Sequence, residues 1–220
     1  MRLVRLFVVA LALSLASAAT AATYDAGVLA GFNFSNLRIQ DRSSIEGRST
    51  FAAGGVVDIG INDRFGIRIE PTWLSKGAKA TQRNAYWGTI DGVVFKLDYV
   101  DVPVLARYDF ETADIHPYGL AGVGVSFATK QEAELTQGQN SETIDFSDVF
   151  KPVDVSLHLG AGVSFPLGGN RLTIDGRGAI GLININDGGT ITFAGSPLAV
   201  PSTSTHTLDF HLFATYLFAL

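Results

Sequence analysis

Apolar and polar residues alternate along most of the chain with a repeat of two residues. From Val153 to Leu167 every second residue is apolar, whereas Asp154 and His158 lie on the other parity. Successive side chains of a β-strand point to opposite faces, so this spacing predicts a strand with one apolar and one polar face. The pattern recurs in eight segments, which are residues 24–35, 51–61, 64–75, 97–110, 115–128, 153–167, 171–184 and 207–220.

The length of these segments favours strands that cross a membrane. Each is long enough for a tilted membrane strand, which needs roughly 9 to 11 residues, whereas strands of soluble sandwiches are more often near five or six. Beyond residue 22, no apolar stretch approaches the roughly 20 residues of a membrane helix. Since eight strands are enough to close a barrel, the sequence predicts an all-β fold, an eight-stranded antiparallel up-and-down transmembrane β-barrel.

The connections between the predicted strands alternate between short and long. Short periplasmic turns and long extracellular loops are typical of outer-membrane barrels. With the first strand starting in the periplasm, an even number of strands places all the long loops outside the cell. Tight turns are predicted at 61–63, 111–114 and 167–170, and polar loops at 36–50, 76–93, 129–152 and 185–205.

Aromatic residues on the apolar parity lie near the ends of the predicted strands. Membrane barrels carry such residues at both interfaces, where an apolar ring can lie beside polar headgroups. We therefore predict membrane-interface positions at the short-turn end for Tyr24, Phe65, Tyr108, Phe110, Phe165, Tyr216 and Phe218, and at the long-loop end for Phe32, Phe34, Phe51, Trp73 and Phe127.

The polar parity carries the charged residues that would line the lumen. A buried charge is tolerable only when it is paired and hydrogen-bonded. We therefore expect Arg68, Arg107 and Arg177 to form ion pairs with the carboxylates around them. The predicted lumen network comprises Asp58, Arg68, Glu70, Asp101, Arg107, Asp154, His158, Asp175, Arg177, Asp209 and His211, and the same parity holds Asp25 and Asn33.

The first 22 residues have the pattern of a secretory signal peptide. Arg2 and Arg5 precede an apolar run over residues 6–15, and small residues follow as far as Ala22. We expect cleavage after residue 21 or 22, export to the outer membrane, and a mature barrel domain over 23–220. A single membrane anchor is the alternative, but the run is short and no basic stop follows it.

Charge and composition restrict the function classes. Without Arg2 and Arg5, 14 of the 16 basic residues remain against 21 acidic residues, and this balance disfavours nucleic-acid binding. The chain has no cysteine, so it offers no disulfide, thiolate nucleophile or cysteine-ligated metal site. The glycine cluster at 119–124 lacks the helix of a phosphate loop, and NINDGG at 184–189 lacks the glutamate of a calcium loop. We expect no cofactor and no metal.

The glycine-containing strand segments also carry a family resemblance. GVLAGFNFSNL at 27–37 and YVDVPVLARY at 99–108 are followed by IHPYGLAGVGVSF, LHLGAGVSF and LTIDGRGAIGLININ. Together they resemble the PorT-like outer-membrane β-barrel family, small eight-stranded barrels of the OmpX and OmpA type. The resemblance implies an outer-membrane barrel without catalytic residues. Its most specific element is the fourth strand, where Pro103 should mark a bulge or local kink.

Polar residues near the last strand leave an enzymatic alternative open. Ser204 and His206 lie near its outer end, and lipid-modifying barrels of similar size use outward-facing serine and histidine. The sequence places no acidic residue that would orient the histidine. We therefore expect no enzymatic activity.

We expect a non-enzymatic barrel whose four outer loops contact the environment or shield the membrane. One alternative is a narrow channel for ions or very small solutes, although an eight-stranded interior only holds its own side chains or one small ligand. A lipid-modifying hydrolase is another, and a soluble calycin-like barrel with inward apolar residues is a third. The expected partners are outer-membrane lipid, lipopolysaccharide and, during biogenesis, the barrel-assembly machinery, and we expect a monomer. The third loop could bind divalent cations that bridge lipopolysaccharide through Glu132, Glu134, Glu142, Asp145 and Asp148.

Overall fold

The computed structural model describes residues 23–40, 46–80, 91–110, 116–193 and 195–220. The predicted signal peptide and the predicted turn at 111–114 lie outside these ranges. Within them, no helix has the length and apolar character needed to cross a membrane.

Thirteen strands form within the described ranges. The longest coincide with the segments in which apolar and polar residues alternate. Their bounds are β1 Thr23–Ile39, β2 Glu46–Gly60, β3 Phe65–Ile69, β4 Thr72–Lys76, β5 Ala78–Ala80, β6 Gly92–Asp109, β7 His116–Gln137, β8 Asn140–Asp145, β9 Val153–Leu167, β10 Asn170–Gly181, β11 Gly189–Phe193, β12 Ser196–Val200 and β13 Thr205–Ala219.

The main strands close into an antiparallel ring. β1 pairs with β2 and β13, and β3, β4 and β5 follow one another between β2 and β6. β6, β7, β9, β10 and β13 complete the ring in that order. Because Ile69 pairs with Val104 and Thr72 with Asp101, β3 and β4 keep one register and count as one strand of the ring. The predicted eight-stranded antiparallel barrel is confirmed.

Burial follows the two-residue alternation around the ring. On β9, His158 is 2% exposed whereas its neighbour Leu159 is 70% exposed. The polar parity therefore faces the lumen and the apolar parity faces outward, as a barrel in lipid requires. This is the reverse of the soluble calycin-like alternative, in which the apolar residues would point inward.

Two of the predicted tight turns lie within the described residues and are confirmed. Between β2 and β3, the side-chain oxygen of Asn62 accepts hydrogen bonds from the backbone N–H groups of Arg64 and Phe65 at 3.0 and 2.9 Å. Between β9 and β10, Gly168 has φ of 65°, which a glycine adopts at no steric cost. We call this end of the barrel the short-turn end and the opposite end the long-loop end.

The predicted long loops contain more β-structure than expected. β6 starts at Gly92 and β7 continues to Gln137, where it forms a hairpin with β8. A second hairpin, of β11 and β12, lies in the region predicted as the fourth loop. These segments bury apolar side chains such as Val93, Leu135 and Ile191, so they do not continue the pattern of apolar outer and polar inner residues that identified the membrane strands.

The prediction of a bulge at Pro103 is wrong, because the irregularity lies elsewhere in the strand. Pro103 pairs in regular register with Gly124, and the register shifts instead between Asp98 and Tyr99. Opposite Pro103, the backbone N–H of Glu70 donates to the proline carbonyl at 3.2 Å. Proline has no N–H to return that bond, and the neighbouring strand is interrupted here, between β3 and β4. The proline therefore weakens one rung of the ladder without changing its register.

An apolar cluster fills the long-loop end of the barrel. The connection from β8 to β9 carries Phe146, Val149 and Phe150, each at most 5% exposed. We call these three residues the apolar plug. Phe95 on β6 meets Phe146 and Phe150 edge-on, with ring centroids 5.8 and 5.7 Å away. The third long loop is thus folded onto the barrel mouth, which its acidic composition did not indicate.

Candidate functional site

The candidate site is the barrel lumen together with the plug that covers it. All the side chains of the predicted lumen network are buried. The exposed fraction is at most 5% for Asp58, Arg68, Glu70, Asp101, Arg107, Asp154, His158, Asp175, Arg177, Asp209 and His211.

Asp58 organises the short-turn half of the lumen. Its carboxylate accepts hydrogen bonds from Arg68 Nε at 2.6 Å and Nη2 at 2.7 Å, a two-point contact that fixes both side chains. Arg107 Nη1 donates to the same carboxylate at 2.9 Å and Arg171 Nη2 at 3.0 Å. The ring of Tyr118 lies beside two of these cations, with its centroid 4.1 Å from Arg107 Cζ and 5.3 Å from Arg68 Cζ. Guanidinium groups from three strands therefore converge on one carboxylate.

A second set of ion pairs crosses the middle of the lumen. Arg177 on β10 hydrogen-bonds to Glu70, which lies opposite it between β3 and β4. Arg68 Nη1 lies 3.6 Å from Glu70 and 3.5 Å from Asp175. The Tyr118 hydroxyl donates to Asp175 at 3.2 Å. These contacts join opposite walls of the barrel.

The long-loop half of the lumen depends on Lys76, which the sequence analysis missed. Its ammonium lies 3.0 Å from Asp154, 3.4 Å from Asp209 and 3.2 Å from Ser126 Oγ. Asp101 joins the group by accepting a hydrogen bond from Ser126 at 2.7 Å. Lys76 has the parity of Arg68 and Glu70, and this signal would have placed it in the lumen had the third strand been extended by one residue.

The buried histidines, His158 and His211, lie between the Arg177 ion pairs in the middle of the lumen and the Lys76 cluster of its long-loop half. Ser156 Oγ is 2.8 Å from His158 Nε2, and an oxygen of Asp101 is 3.9 Å from the same nitrogen. The His158 ring stacks on His211 at 5.9 Å between centroids. A serine-histidine-aspartate triad needs the serine and the carboxylate at opposite ring nitrogens. Here both lie at Nε2, so the group has the geometry of a packed polar cluster.

The short-turn end opens into a vestibule of about 730 Å³. Its wall includes Asp25, Asp109 and Arg171, and it reaches Asp58 and Arg107 of the lumen network. Arg171 bridges Asp25 at 2.6 Å and Asp58 at 3.0 Å. The vestibule therefore ends on the ion pairs that fill the lumen.

The predicted interface aromatics lie on the outer wall, with ten of the twelve exposed and two half-buried. Tyr108 contacts Phe65 and Phe110 edge-on, and Tyr216 contacts Phe218. The exposed fraction is 39% to 54% for Tyr24, Phe32, Phe34, Phe51, Phe65, Trp73, Phe110, Phe127, Phe165 and Phe218, while Tyr108 and Tyr216 are half-buried.

Ser204 and His206 also lie close together. Ser204 Oγ is 3.3 Å from His206 Nε2, and His206 Nδ1 is 3.2 Å from the carbonyl oxygen of Gly181. Arg38 is paired with His206 across the strands. A backbone carbonyl, rather than a carboxylate, thus orients the ring. In the part of the chain that the structure describes, no group of three or more metal-ligating side chains is arranged to hold a metal ion.

Comparisons with known proteins agree with this architecture. The sequence model of the outer membrane protein beta-barrel domain matches residues 18–187, well over half of the chain. No curated protein matches.

Several solved structures are similar to this chain at low sequence identity. The outer membrane protein OprG from Pseudomonas aeruginosa is 12% identical with a TM-score of 0.49, over 89% of this chain and 96% of that one. Neisserial surface protein A is 15% identical with a TM-score of 0.43, over 89% and 97%. The outer membrane protease OmpT from Escherichia coli is 7% identical with a TM-score of 0.46, over 90% and 97%.

Proposed function

The chain belongs to the outer membrane protein beta-barrel domain family, and from this premise we propose a non-enzymatic, non-conducting barrel that acts through its long-loop end. The closed lumen carries this proposal. The Asp58 and Glu70 ion pairs cross the barrel, and the apolar plug covers the long-loop mouth. An eight-stranded barrel has room only for its own side chains or one small ligand.

The ordered β-structure at the long-loop end supports a role in surface contacts. The hairpin of β7 and β8 and the hairpin of β11 and β12 form a surface that we call the outer platform. Function in such folds lies in the loops that a rigid scaffold presents. The finer resemblance to PorT-like barrels, the export signal, the monomeric state and the use of the barrel-assembly machinery belong to the same proposal.

Conductance in planar bilayers tests the closed lumen. The purified protein is first shown to be folded by its heat-modifiable mobility in gels, and is then added to a bilayer in 1 M potassium chloride. We expect no discrete current steps. Regular steps from the folded protein, absent after its denaturation, would instead establish the narrow channel.

The narrow channel stays the second candidate because of a specific observation. Several buried lumen atoms have no hydrogen-bond partner within the described ranges, including both ring nitrogens of His211 and Nη1 of Arg177. Internal water commonly satisfies such groups. A chain of water molecules between the vestibule and the histidines would be the first requirement of a conducting path.

The contact between Ser204 and His206 makes the hydrolase alternative testable as well. Ser204→Ala and His206→Ala remove the only groups that the alternative relies on. We expect the lipid profile of the outer membrane to be the same in cells producing either variant or the original protein. Deacylated lipid that depends on both residues would overturn the non-enzymatic proposal.

A further inference from the structure

The two hairpins of the outer platform differ in the backbone groups that they expose. Each hairpin is closed by a two-residue turn, so the residues beside the turn form a hydrogen-bonded pair, and such pairs alternate with non-hydrogen-bonded pairs along the ladder. A residue of a non-hydrogen-bonded pair points its N–H and C=O groups away from the partner strand. Where no further strand follows, these groups form an open edge.

The outer edge of β8 is open. Gln137 and Asn140 flank the turn, so Ser141, Thr143 and Asp145 fall in the non-hydrogen-bonded pairs and point their backbone groups away from β7. All three are exposed. In the part of the chain that the structure describes, no strand pairs with this edge. β11 lies near β8, but it pairs with β12.

Two backbone hydrogen bonds agree with this assignment of the β8 edge. The N–H of Phe146 donates to the carbonyl of Gln131 at 2.9 Å, so Gln131 points its carbonyl toward the β8 side of β7. Five residues further along β7, Thr136 accepts a hydrogen bond from the Asp91 N–H at 2.8 Å, on the β6 side. Thr136 therefore points away from β8, and its partner Ser141 points outward.

The outer edge of β12 is protected by proline. By the same rule, Pro197 and Ala199 point their backbone groups to this edge. Pro197 has no N–H to donate, and Pro201 follows directly after the strand. Proline on an edge is one of the means by which proteins prevent the addition of another strand. β8 contains no proline, so the platform has one protected edge and one open edge.

The open edge lies well above the lipid-facing wall. Phe127 is 50% exposed and marks the upper limit of that wall on β7. Glu132 and Thr136, which are opposite Asp145 and Ser141, follow Phe127 by five and nine residues. At about 3.4 Å per residue and a tilt near 40°, the edge lies about 13 to 24 Å above Phe127. A protein, rather than lipid, can therefore meet this edge.

The surroundings of the open edge are acidic. Residues 131–150 contain five carboxylates and no lysine or arginine. Lys96 and Lys130 form ion pairs with two of these carboxylates. Asp145 and Asp148 are exposed, and within the described ranges neither forms an ion pair. A strand that adds to β8 therefore meets a surplus of negative charge.

We propose that β8 binds an extended segment of another protein, rich in lysine or arginine, by strand addition to the edge formed by Ser141, Thr143 and Asp145. In such complexes, backbone hydrogen bonds supply affinity and the neighbouring side chains supply specificity. A second copy of this chain fits less well, because two acidic strands would place like charges opposite each other. The inference rests on the proposed role of the outer platform and adds the kind of partner that the platform contacts.

Binding of short synthetic peptides to the folded protein in a maltoside detergent tests this edge. The probes are two heptapeptides with capped ends, one of alternating threonine and lysine and one of alternating threonine and glutamate. Their affinities are measured by fluorescence anisotropy. We expect the lysine peptide to bind about tenfold or more tightly than the glutamate peptide.

A pair of proline variants tests whether the backbone of β8 makes the contact. Thr143→Pro removes the central N–H of the open edge and keeps the ladder with β7, because this N–H points away from β7. We expect this variant to bind the lysine peptide about tenfold or more weakly than the original protein. Ala199→Pro removes an outward N–H from the edge of β12 and is the matched control. Its affinity should stay within about twofold of the original.

A charge variant tests the acidic surroundings without a change in the backbone. Asp145→Asn/Asp148→Asn should bind the lysine peptide about fivefold or more weakly and should lose part of the preference over the glutamate peptide. Heat-modifiable mobility shows that every variant is folded, and slow hydrogen exchange of the Ile144 amide shows that the hairpin is kept. If Thr143→Pro loses the hairpin, undiminished binding by the charge variant would still overturn the proposal.

Three other results would also contradict strand addition by a basic partner. These are no binding of the lysine peptide, equal binding of the two peptides by the original protein, and equal losses in the two proline variants. A dimer of the original protein in sedimentation that Thr143→Pro abolishes would assign the edge to a second copy instead. The closed lumen is judged separately by bilayer conductance, so its failure and the failure of this edge are distinguishable.

Discussion

At the scale of single residues, Lys76 must balance the charge of several carboxylates. Three carboxylates, those of Asp101, Asp154 and Asp209, surround this one ammonium, and all four side chains are at most 3% exposed. Nearer the short-turn end, by contrast, three guanidinium groups share Asp58, and each of them also lies near a second carboxylate. Removing one partner of a buried ion pair leaves an uncompensated charge in a poorly solvated interior. The long-loop half of the lumen is therefore the more sensitive one.

Lys76→Gln should lower the free energy of unfolding by about 3 to 5 kcal/mol, because it leaves the carboxylates without a cation. Urea unfolding in lipid vesicles, followed by tryptophan fluorescence, measures this change. Lys151→Gln, which breaks the surface pair with Asp187, is the control and should lower the free energy of unfolding by less than about 1 kcal/mol. Asp209→Asn in the Lys76→Gln background should restore part of the loss. Equal unfolding of the two single variants would show that the lumen charges do not depend on Lys76.

The lumen shows how far a sequence can predict such a site. The parity rule placed residues as far apart as Asp58 and His211 on one buried surface, because the side-chain period of a strand is fixed. It missed Lys76 and Tyr118, which complete the ion-pair clusters. Which acid meets which base depends on the register and stagger of strands distant in the chain, and alternation within one strand carries no information about that.

At the scale of elements, the strands were predictable where one face meets lipid and the other meets the lumen. Beyond the lipid-facing wall the contrast reverses, since Val93, Ala133 and Leu135 are buried, and the extensions of β6 and β7 were therefore interpreted as loop. The apolar plug was missed for a related reason. Phe146 and Phe150 lie in an acidic stretch without periodicity, and only the tertiary fold brings them onto Phe95.

Phe146→Ala tests whether the plug holds the outer platform in place. Phe146 is 1% exposed and contacts both Phe95 and Phe150. Its truncation should therefore lower the free energy of local unfolding by about 3 kcal/mol or more. We expect faster hydrogen exchange in β8 and new protease cleavage between residues 137 and 152, while the exchange of β1 and β13 is unchanged. Thr143→Ala, an exposed change on β8, is the control and should leave both measurements as they are. Unchanged exchange in the Phe146 variant would show that the platform does not need the plug.

At the scale of the whole molecule, the barrel is asymmetric along its axis. The short-turn end opens into the vestibule of about 730 Å³, whereas the long-loop end is covered by the apolar plug. The closed ring of strands is the architecture of the outer membrane protein beta-barrel domain family, to which the chain belongs. The two ends differ because one carries turns too short to fold inward and the other carries a loop long enough to cover the mouth.

This asymmetry predicts access to the lumen from one end only. The chain has no cysteine, so a single introduced thiol reports its own surroundings. Ser164 lines the vestibule, and Thr207 lies deep in the long-loop half, where it donates a hydrogen bond to Asp154 at 2.7 Å. We expect a small water-soluble thiol reagent to label Ser164→Cys and to leave Thr207→Cys unlabelled until urea unfolds the protein. Combining Thr207→Cys with Phe146→Ala should make the buried thiol reactive, since the plug is what separates it from water at the long-loop end. If Thr207→Cys instead reacts as fast as Ser164→Cys in the otherwise unchanged chain, water passes the ion pairs, and the narrow channel replaces the closed barrel as the better account.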